Sequence, residues 1–242
     1  MSGGGAPLLQ ASGVSKRFGG VTAVDTVDFS LAEGELRCLI GPNGAGKSTF
    51  FKLLTGQLAP TTGTIRFRTH DVTHAKPHEI ARLGIGIKTQ IPNVFNGLMV
   101  RENLYVAAIR TNRPARARAI VDEVLARLAL VDIADRLVGV LAHGQRQWVE
   151  IGAVLAQEPD LILLDEPAAG MTHEEVARTA QLIREINRTK ALIVVEHDMQ
   201  FIRMIADTVT VFNQGKILVE DKVELVLANQ AVRDVYLGKR AA

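Results

Sequence analysis

Cysteine is nearly absent: Cys38 stands alone in 242 residues, which excludes an internal disulfide and points to a reducing compartment. Long apolar runs are missing too. A membrane-crossing helix needs ~20 apolar residues, whereas the apolar stretches in DLILLDEP and ALIVVEHD have the length of strands. The N-terminus, MSGGGAPLLQ, has neither the basic start nor the apolar run of a signal peptide. These features predict a soluble, cytoplasmic chain. No sign of charge dominates, with 28 basic and 26 acidic residues and a net charge of +2, so the basic stripe of a nucleic-acid binder is not expected. The densest basic run, RTNRPARARA at 110–119, reads as a solvated helix face. Internal repeats and low-complexity tracts are missing as well, and 47% apolar against 22% charged residues suits a globular core.

What is present reads as an α/β chain. Residues 8–40 predict strands: LLQASGV, then TAVDTVDFSL, then ELRCLI running into a glycine-rich turn. Lys47 to Leu58 turns helical, with Gly56 near its end. TGTIRFR is a further strand, and Pro77 opens a short helix over 77–84. Between about Val100 and Leu141 no strand pattern is found. Ile120, Val124 and Leu128 recur there at helical spacing, with Val121 and Leu125 widening the stripe. We read residues 97–157 as a helical insert in one domain spanning 1–242. Strand and helix then alternate through LILLDE, His173–Arg188, ALIVVE, a helix from Met199, and TVTVFN. QGKILVE pairs with TVTVFN as a hairpin about Asn213–Gln214–Gly215. Such alternation builds a mostly parallel, helix-covered sheet.

GPNGAGKS, residues 41–48, fits the phosphate-binding pattern G-x-x-x-x-G-K-[ST] between a strand and a helix. Gly41, Gly44 and Gly46 let the backbone curl until its N–H groups face phosphate oxygens. Lys47 neutralises the outer phosphates, and Ser48 offers a hydroxyl to Mg²⁺. LILLDE ends in Asp165 and Glu166 at the carboxyl end of a buried strand, where open α/β sheets bind ligands. Asp165 suits the Mg²⁺ shell; Glu166 suits a general base that activates water. A guanine-reading Asn-Lys-x-Asp does not occur in the chain. LAHGQ, residues 141–145, starts a helix without a Ser, Thr, Asp or Asn cap at Ala142, so its free N–H groups face an anion that is not yet identified.

GPNGAGKST, LAHGQ and LILLDEP occur in that order, and with them the chain resembles the ATP-binding subunits of ABC transporters over essentially its whole length. That resemblance implies a P-loop core with a mostly parallel sheet, an N-terminal antiparallel β portion and the inserted helical subdomain. It implies two subunits sandwiching ATP, the signature of one contacting the γ-phosphate held by the other. Carried over by motif, ATP is held by Phe18, which stacks on adenine, and by Gly41, Pro42, Asn43, Gly44, Ala45, Gly46, Lys47, Ser48 and Thr49. Catalysis falls to Glu166, His197, Gln90 and Lys47, and Mg²⁺ to Ser48, Gln90 and Asp165. The signature is Leu141, Ala142, His143, Gly144 and Gln145, and the loop at Gly170 and Met171 crosses to the partner. Implied partners are transmembrane permease subunits, a second ATPase of the same or a sister kind and, indirectly, a periplasmic substrate-binding protein. The implied place is the cytoplasmic face of a membrane, peripherally held, with no nucleic acid bound.

Departures from the family pattern sharpen the expectation. Ala142 replaces the signature serine, His143 replaces its first glycine, and the crossing loop lacks its usual Asp. A weakened but working contact is expected. ELRCLIGPNGAGKS, HGQRQWVEIG, DEPAAGM, VVEHDM and DVYLGKR are similar to ATPases of importers for branched-chain amino acids and for urea or short amides. The ELRC and HGQRQW wording leans to the urea branch. The permease is expected to rest on Ile91, Val94 and Phe95. Rival readings are a soluble ABC ATPase of DNA repair or translation, against which the chain lacks a long coiled-coil insert, and a hydrolytically weak partner of a heterodimer. Other features read as ordinary structure. His70, His74 and His78 are interrupted by Pro77 and by a turn at Asp71-Val72-Thr73. His173-Glu174 lacks the second histidine of a zinc-protease motif, Ala177 standing there. Trp148 reads as packing at the insert surface, Cys38 as inert core, and Thr172 with Glu175 as a capping box.

Overall fold

The computed structural model describes residues 6–90 and 93–237. The chain opens with β1 (Leu9–Phe18), β2 (Val21–Leu31) and β3 (Leu36–Ile40), followed by α1 (Lys47–Leu54). Then come β4 (Thr62–Phe67), β5 (His70–Asp71), α2 (Pro77–Arg82) and β6 (Ile85–Lys88). Helices fill the next stretch: α3 (Val100–Ala108), α4 (Pro114–Arg127) and α5 (His143–Leu155). The remainder alternates as β7 (Leu161–Asp165), α6 (His173–Asn187), β8 (Ala191–Val195), α7 (Met199–Ile205), β9 (Thr208–Asn213) and β10 (Lys216–Lys222). Two short helices close it, α8 (Val223–Ala228) and α9 (Gln230–Leu237).

Two sheets result. β2, β1, β4 and β5 form an antiparallel sheet in that order, while the second sheet runs β10-β9-β3-β8-β7-β6. Within the second, β9 through β6 are parallel and only β10 is antiparallel, paired with β9 across Gln214 and Gly215. Both turn residues have positive φ, 50° and 80°, the geometry of a tight hairpin turn that continues the strand twist.

The period-2 pattern of the parallel strands divides the core. Leu161, Leu163, Ala191, Ile193 and Val195 face the antiparallel sheet and α1, packing with Phe29, Phe50 and Phe67. Ile162, Leu164, Leu192 and Val194 face the opposite way, toward Val124, Val149, Ile151 and Ile183. Strands buried on both faces read as continuous apolar runs, which is why LILL and ALIVV stand out in the sequence.

Several boundaries differ from expectation. The helix after the phosphate loop ends at Leu54 rather than Leu58, because Gly56 takes φ +67° and its N–H turns back to the Leu53 carbonyl. Asp71 ends a two-residue strand with His70, since Phe67 pairs with His70 and Arg66 with Asp71, and its Oδ1 accepts from the Thr73 N–H (2.9 Å) to open the turn expected there. β6 is short, with a glycine in its interior, and gives no strand signal of its own.

Candidate functional site

Four adjacent parallel strands, β3, β8, β7 and β6, lead at one edge to the phosphate loop, His197, Asp165 with Glu166, and Gln90. The loop after β3 holds Gly41 through Gly46, with φ of 146°, 78° and 104° at Gly41, Gly44 and Gly46. A Cβ on Gly41 would lie 2.2 Å from the Phe212 carbonyl oxygen, and one on Gly46 2.5 Å from that of Ala23, so only bare backbone fits. No side chain caps α1; its first N–H groups point into the loop and favour an anion. The half-buried Lys47 ammonium donates to the carbonyls of Gly41 (2.6 Å) and Pro42 (3.0 Å). Burial pulls its pKa down while Glu166 and Asp165 oppose the shift. Ala45 is buried, Ser48 is exposed in the first turn of α1, and Asn43 is exposed on the loop.

Asp165 closes β7, buried at 8% exposure. Burial, and next the neighbouring Glu166, raise its pKa to about 6. Its Oδ1 is buried without a hydrogen-bond donor among the described residues, an acceptor a cation would satisfy. Glu166 takes φ +45°, a strained value for a residue other than glycine, and its N–H donates to the Val195 carbonyl (3.0 Å). This kink turns its carboxylate toward the histidine after β8: His197 Nδ1 lies 3.2 Å from Glu166 Oε1. Gln90 is exposed just past β6, whose register with β7 leads the chain to the same edge.

Phe18 lies on the antiparallel sheet, 47% exposed, with the Lys16 ammonium 5.2 Å from its ring centroid. The signature segment begins the helical insert's last helix. Ala142 offers α5 no side-chain cap, and its own N–H donates to Gln145 Oε1 (3.3 Å). Gly144 packs so closely that a Cβ would lie 2.2 Å from Glu175 Oε1. His143 Nε2 sits 3.0 Å from the Ala169 carbonyl, so that nitrogen carries the proton. Leu141 is buried. The contacts of Ala142–Gly144 therefore run to their own helix and to the segment 169–175, while the P-loop, Asp165, Glu166 and His197 gather at the sheet edge.

A second group escapes a reading of the sequence. Lys88, Glu150 and Glu196 are all buried near Asp165, at 3%, 5% and 2% exposure. Burial lowers the Lys88 pKa and raises those of Glu150 and Glu196. Glu196 accepts from the backbone N–H of His197 (3.0 Å) and Ala168 (3.4 Å), bracing both loops. Tyr236 of α9 is half-buried with its hydroxyl oxygen enclosed. Burial pushes its phenol up to about 12, and the Gly41 backbone opposes that shift.

Trp148 is a packing residue but not a surface one. It is 5% exposed, donates from Nε1 to Thr179 Oγ1 (2.9 Å), and carries the Arg178 guanidinium 3.9 Å over its ring. Thr172 caps α6 with Glu175 answering from N3, as the sequence suggests. His70, His74 and His78 lie on β5, a loop and α2, and no group of three or more metal-ligating side chains occurs among the described residues. Cys38 is fully buried and its thiol is pushed far up by desolvation, which keeps it unreactive.

Comparison with known proteins gives the same picture. A family model described as ABC transporter matches residues 24–169. The high-affinity branched-chain amino acid transport ATP-binding protein LivG of Salmonella typhimurium is 36% identical over 251 residues, covering 96% of this chain and 98% of LivG. The corresponding Pseudomonas aeruginosa protein BraF is 36% identical over 253 residues, with 96% and 98% covered. Among solved structures, a nucleotide-free ATP-binding cassette from an ABC transporter superposes with TM-score 0.87 at 28% identity, covering 97% of this chain and all 100% of that one. An ATP-binding cassette in its ADP conformation gives 0.86 at 28% identity, with 97% and 100% covered.

Proposed function

Because the chain belongs to the ABC transporter family as an ATP-binding cassette, we propose that it powers uptake of branched-chain amino acids from the cytoplasmic face of a membrane. Its class is that of an ATPase coupled to transport. One observation carries the site reading: the Lys47 ammonium, the buried Asp165, Glu166 and His197 meet at the carboxyl edge of one parallel sheet. Backbone N–H groups of Asn43–Thr49 cradle the phosphates of ATP, and Phe18 supports adenine. Glu166 Oε takes a proton from water as its oxygen attacks the γ-phosphorus. The bond to the bridging oxygen breaks, and ADP and phosphate leave. His197 holds the Glu166 carboxylate in place. Ser48, Gln90 and Asp165 would hold Mg²⁺, which neutralises phosphate charge when bound; the orphaned Asp165 Oδ1 fits that use.

Two cassettes enclose the nucleotides, each offering Leu141–Gln145 to the other's γ-phosphate. With Ala142 in place of the signature serine, this contact lacks one hydroxyl hydrogen bond to a charged phosphate, worth about 1.5–3 kcal/mol. Light scattering of Glu166→Gln with ATP and Mg²⁺ should show the mass double. If ATP binds and the mass stays constant, the chain alone does not self-pair through LAHGQ, and the clamp needs a sister cassette or the membrane partners. A groove of about 600 Å³ between α3 and α4, lined by Leu98, Arg101, Tyr105, Val106 and Val121, fits a short cytoplasmic helix of a permease. Phe95 nearby is 59% exposed and Val94 half-buried; Ile91 lies outside the described residues. The substrate-binding protein acts through that permease from the other side.

The raised Asp165 pKa sets a pH dependence. A carboxyl that holds its proton more tightly when folded favours the fold below its ordinary pKa of 3.8, and that contribution is lost as pH rises to about 6. Mg²⁺ competes with the same proton. The Mg²⁺ concentration for half-maximal ATPase activity should therefore rise as pH falls below about 6; a requirement flat between about pH 5 and 8 would remove Asp165 from the metal shell.

Cargo is tested by uptake of labelled leucine and labelled urea in cells lacking this chain. Loss of leucine uptake supports the reading. Loss of urea uptake alone moves the chain to the urea branch that ELRC and HGQRQW suggest.

A further inference from the structure

Resting on the ATPase reading, we propose that Lys88 is a positioning residue for hydrolysis: its buried pairing with Glu150 fixes the helix that starts at the signature to the strand edge carrying Asp165 and Glu166. Lys88 ends β6, with its side chain only 2% exposed. Its Nζ lies 3.6 Å from Glu150 Oε2, has no hydrogen-bond partner among the described residues, and feels the charges of Asp165 and Glu196 as well. A cavity of about 40 Å³ adjoins the pair, lined by Thr89, Asn93, Glu150 and Gln157. That volume is enough for a bridging water.

The pair is the foot of a polar row. Glu150, Gln147 and His143 stand at i, i−3 and i−7 on α5 and so share one face of the helix. His143 Nε2 donates to the Ala169 carbonyl at 3.0 Å, and Gln147 stands one turn along the same face with its amide oxygen buried and unpaired among the described residues. Gln147 and Glu150 are buried at 7% and 5%. The row thus runs from the strand that leads to Gln90, along the signature helix, to the loop that follows Glu166. Apolar residues of similar size would hold the fold as well as a buried ion pair does. Charge here specifies one position of α5 relative to the sheet edge.

The test uses the full chain. Lys88→Met alone leaves Glu150 buried and unpaired, and Tm should fall by roughly 6–20 °C. Lys88→Met with Glu150→Leu restores Tm to within a few degrees. In that double variant a fluorescent ATP analogue still binds within about twofold of the parent affinity, while kcat falls about tenfold at unchanged KM. The MgATP-induced change in emission of Trp148, two residues from Glu150 on α5, is lost as well. Native kcat and a native Trp148 response in the folded double variant would overturn the proposal, leaving the pair a packing feature. Lys88→Gln with Glu150→Gln keeps chain length and polarity without charge, and decides the matter by the same two readouts if the apolar pair fails to fold. A parent chain that releases no phosphate from ATP would instead defeat the ATPase reading, a result separate from any effect of the variants.

Discussion

Glu166→Gln should bind ATP about as tightly as the parent and release phosphate roughly 10²–10⁴-fold more slowly. Glutamine keeps the shape of the side chain and the same backbone strain at φ +45°, but it has no carboxylate to accept a proton. The contact with His197 Nδ1, 3.2 Å in the parent, can be kept by the amide. Charge also works in favour of retained binding. Glu166 is one cause of the raised Asp165 pKa, so its neutralisation eases Asp165 toward its ionised form. Lys47 loses one of its two carboxylate neighbours but keeps its place on the loop. A phosphate-release assay beside a direct binding measurement separates the two effects. Undiminished phosphate release with native binding would take proton abstraction away from Glu166.

Gly41→Ala should lose about 2–6 kcal/mol of folding stability, and ATP binding with it. Two costs add. The positive φ of 146° disfavours any Cβ, at about 1–3 kcal/mol. The new methyl also meets the Phe212 carbonyl oxygen at 2.2 Å, a contact between two backbones that no rotamer change relieves; forced overlap of this kind costs about 1–3 kcal/mol. Gly44→Ala is the control, because its φ is +78° and a Cβ there meets nothing within 4 Å. It should cost only the conformational strain, about 1–2 kcal/mol. Urea unfolding of the two variants compares them directly, and equal losses would show that the Phe212 contact yields.

The phosphate loop, Asp165 and Glu166 were legible because each belongs to a local pattern: bare glycines before Lys47, and carboxylates closing an apolar run. β7 and β8 were legible because both of their faces are buried. Lys88, Gln147 and Glu150 were not. Gln147 and Glu150 share a face of α5, but nothing in the spacing of that helix points to a lysine ending a four-residue strand. Their meeting depends on where α5 crosses β6, which only the assembled fold decides. Trp148 shows the same limit. Its helix pattern placed it at the insert surface, while Thr179 and Arg178, supplied from α6, cover it. The short reach of α1 traces to Gly56, whose left-handed turn competes with an apolar pattern that continues to Leu58.

The phosphate loop is walled by parts of the chain made much later. Gly215 donates its N–H to the Ala45 carbonyl at 2.9 Å and accepts from Asp25 at 2.8 Å, and a Cβ at Gly46 would lie 3.2 Å from the Gly215 Cα. Contacts so distant in sequence must await closure of a long loop. A growing polypeptide that has emerged only through β8 thus carries the whole GPNGAGKS segment without the wall that shapes it. The loop's finished shape therefore waits until the β9–β10 hairpin has left the ribosome and Gly215 has closed on Ala45.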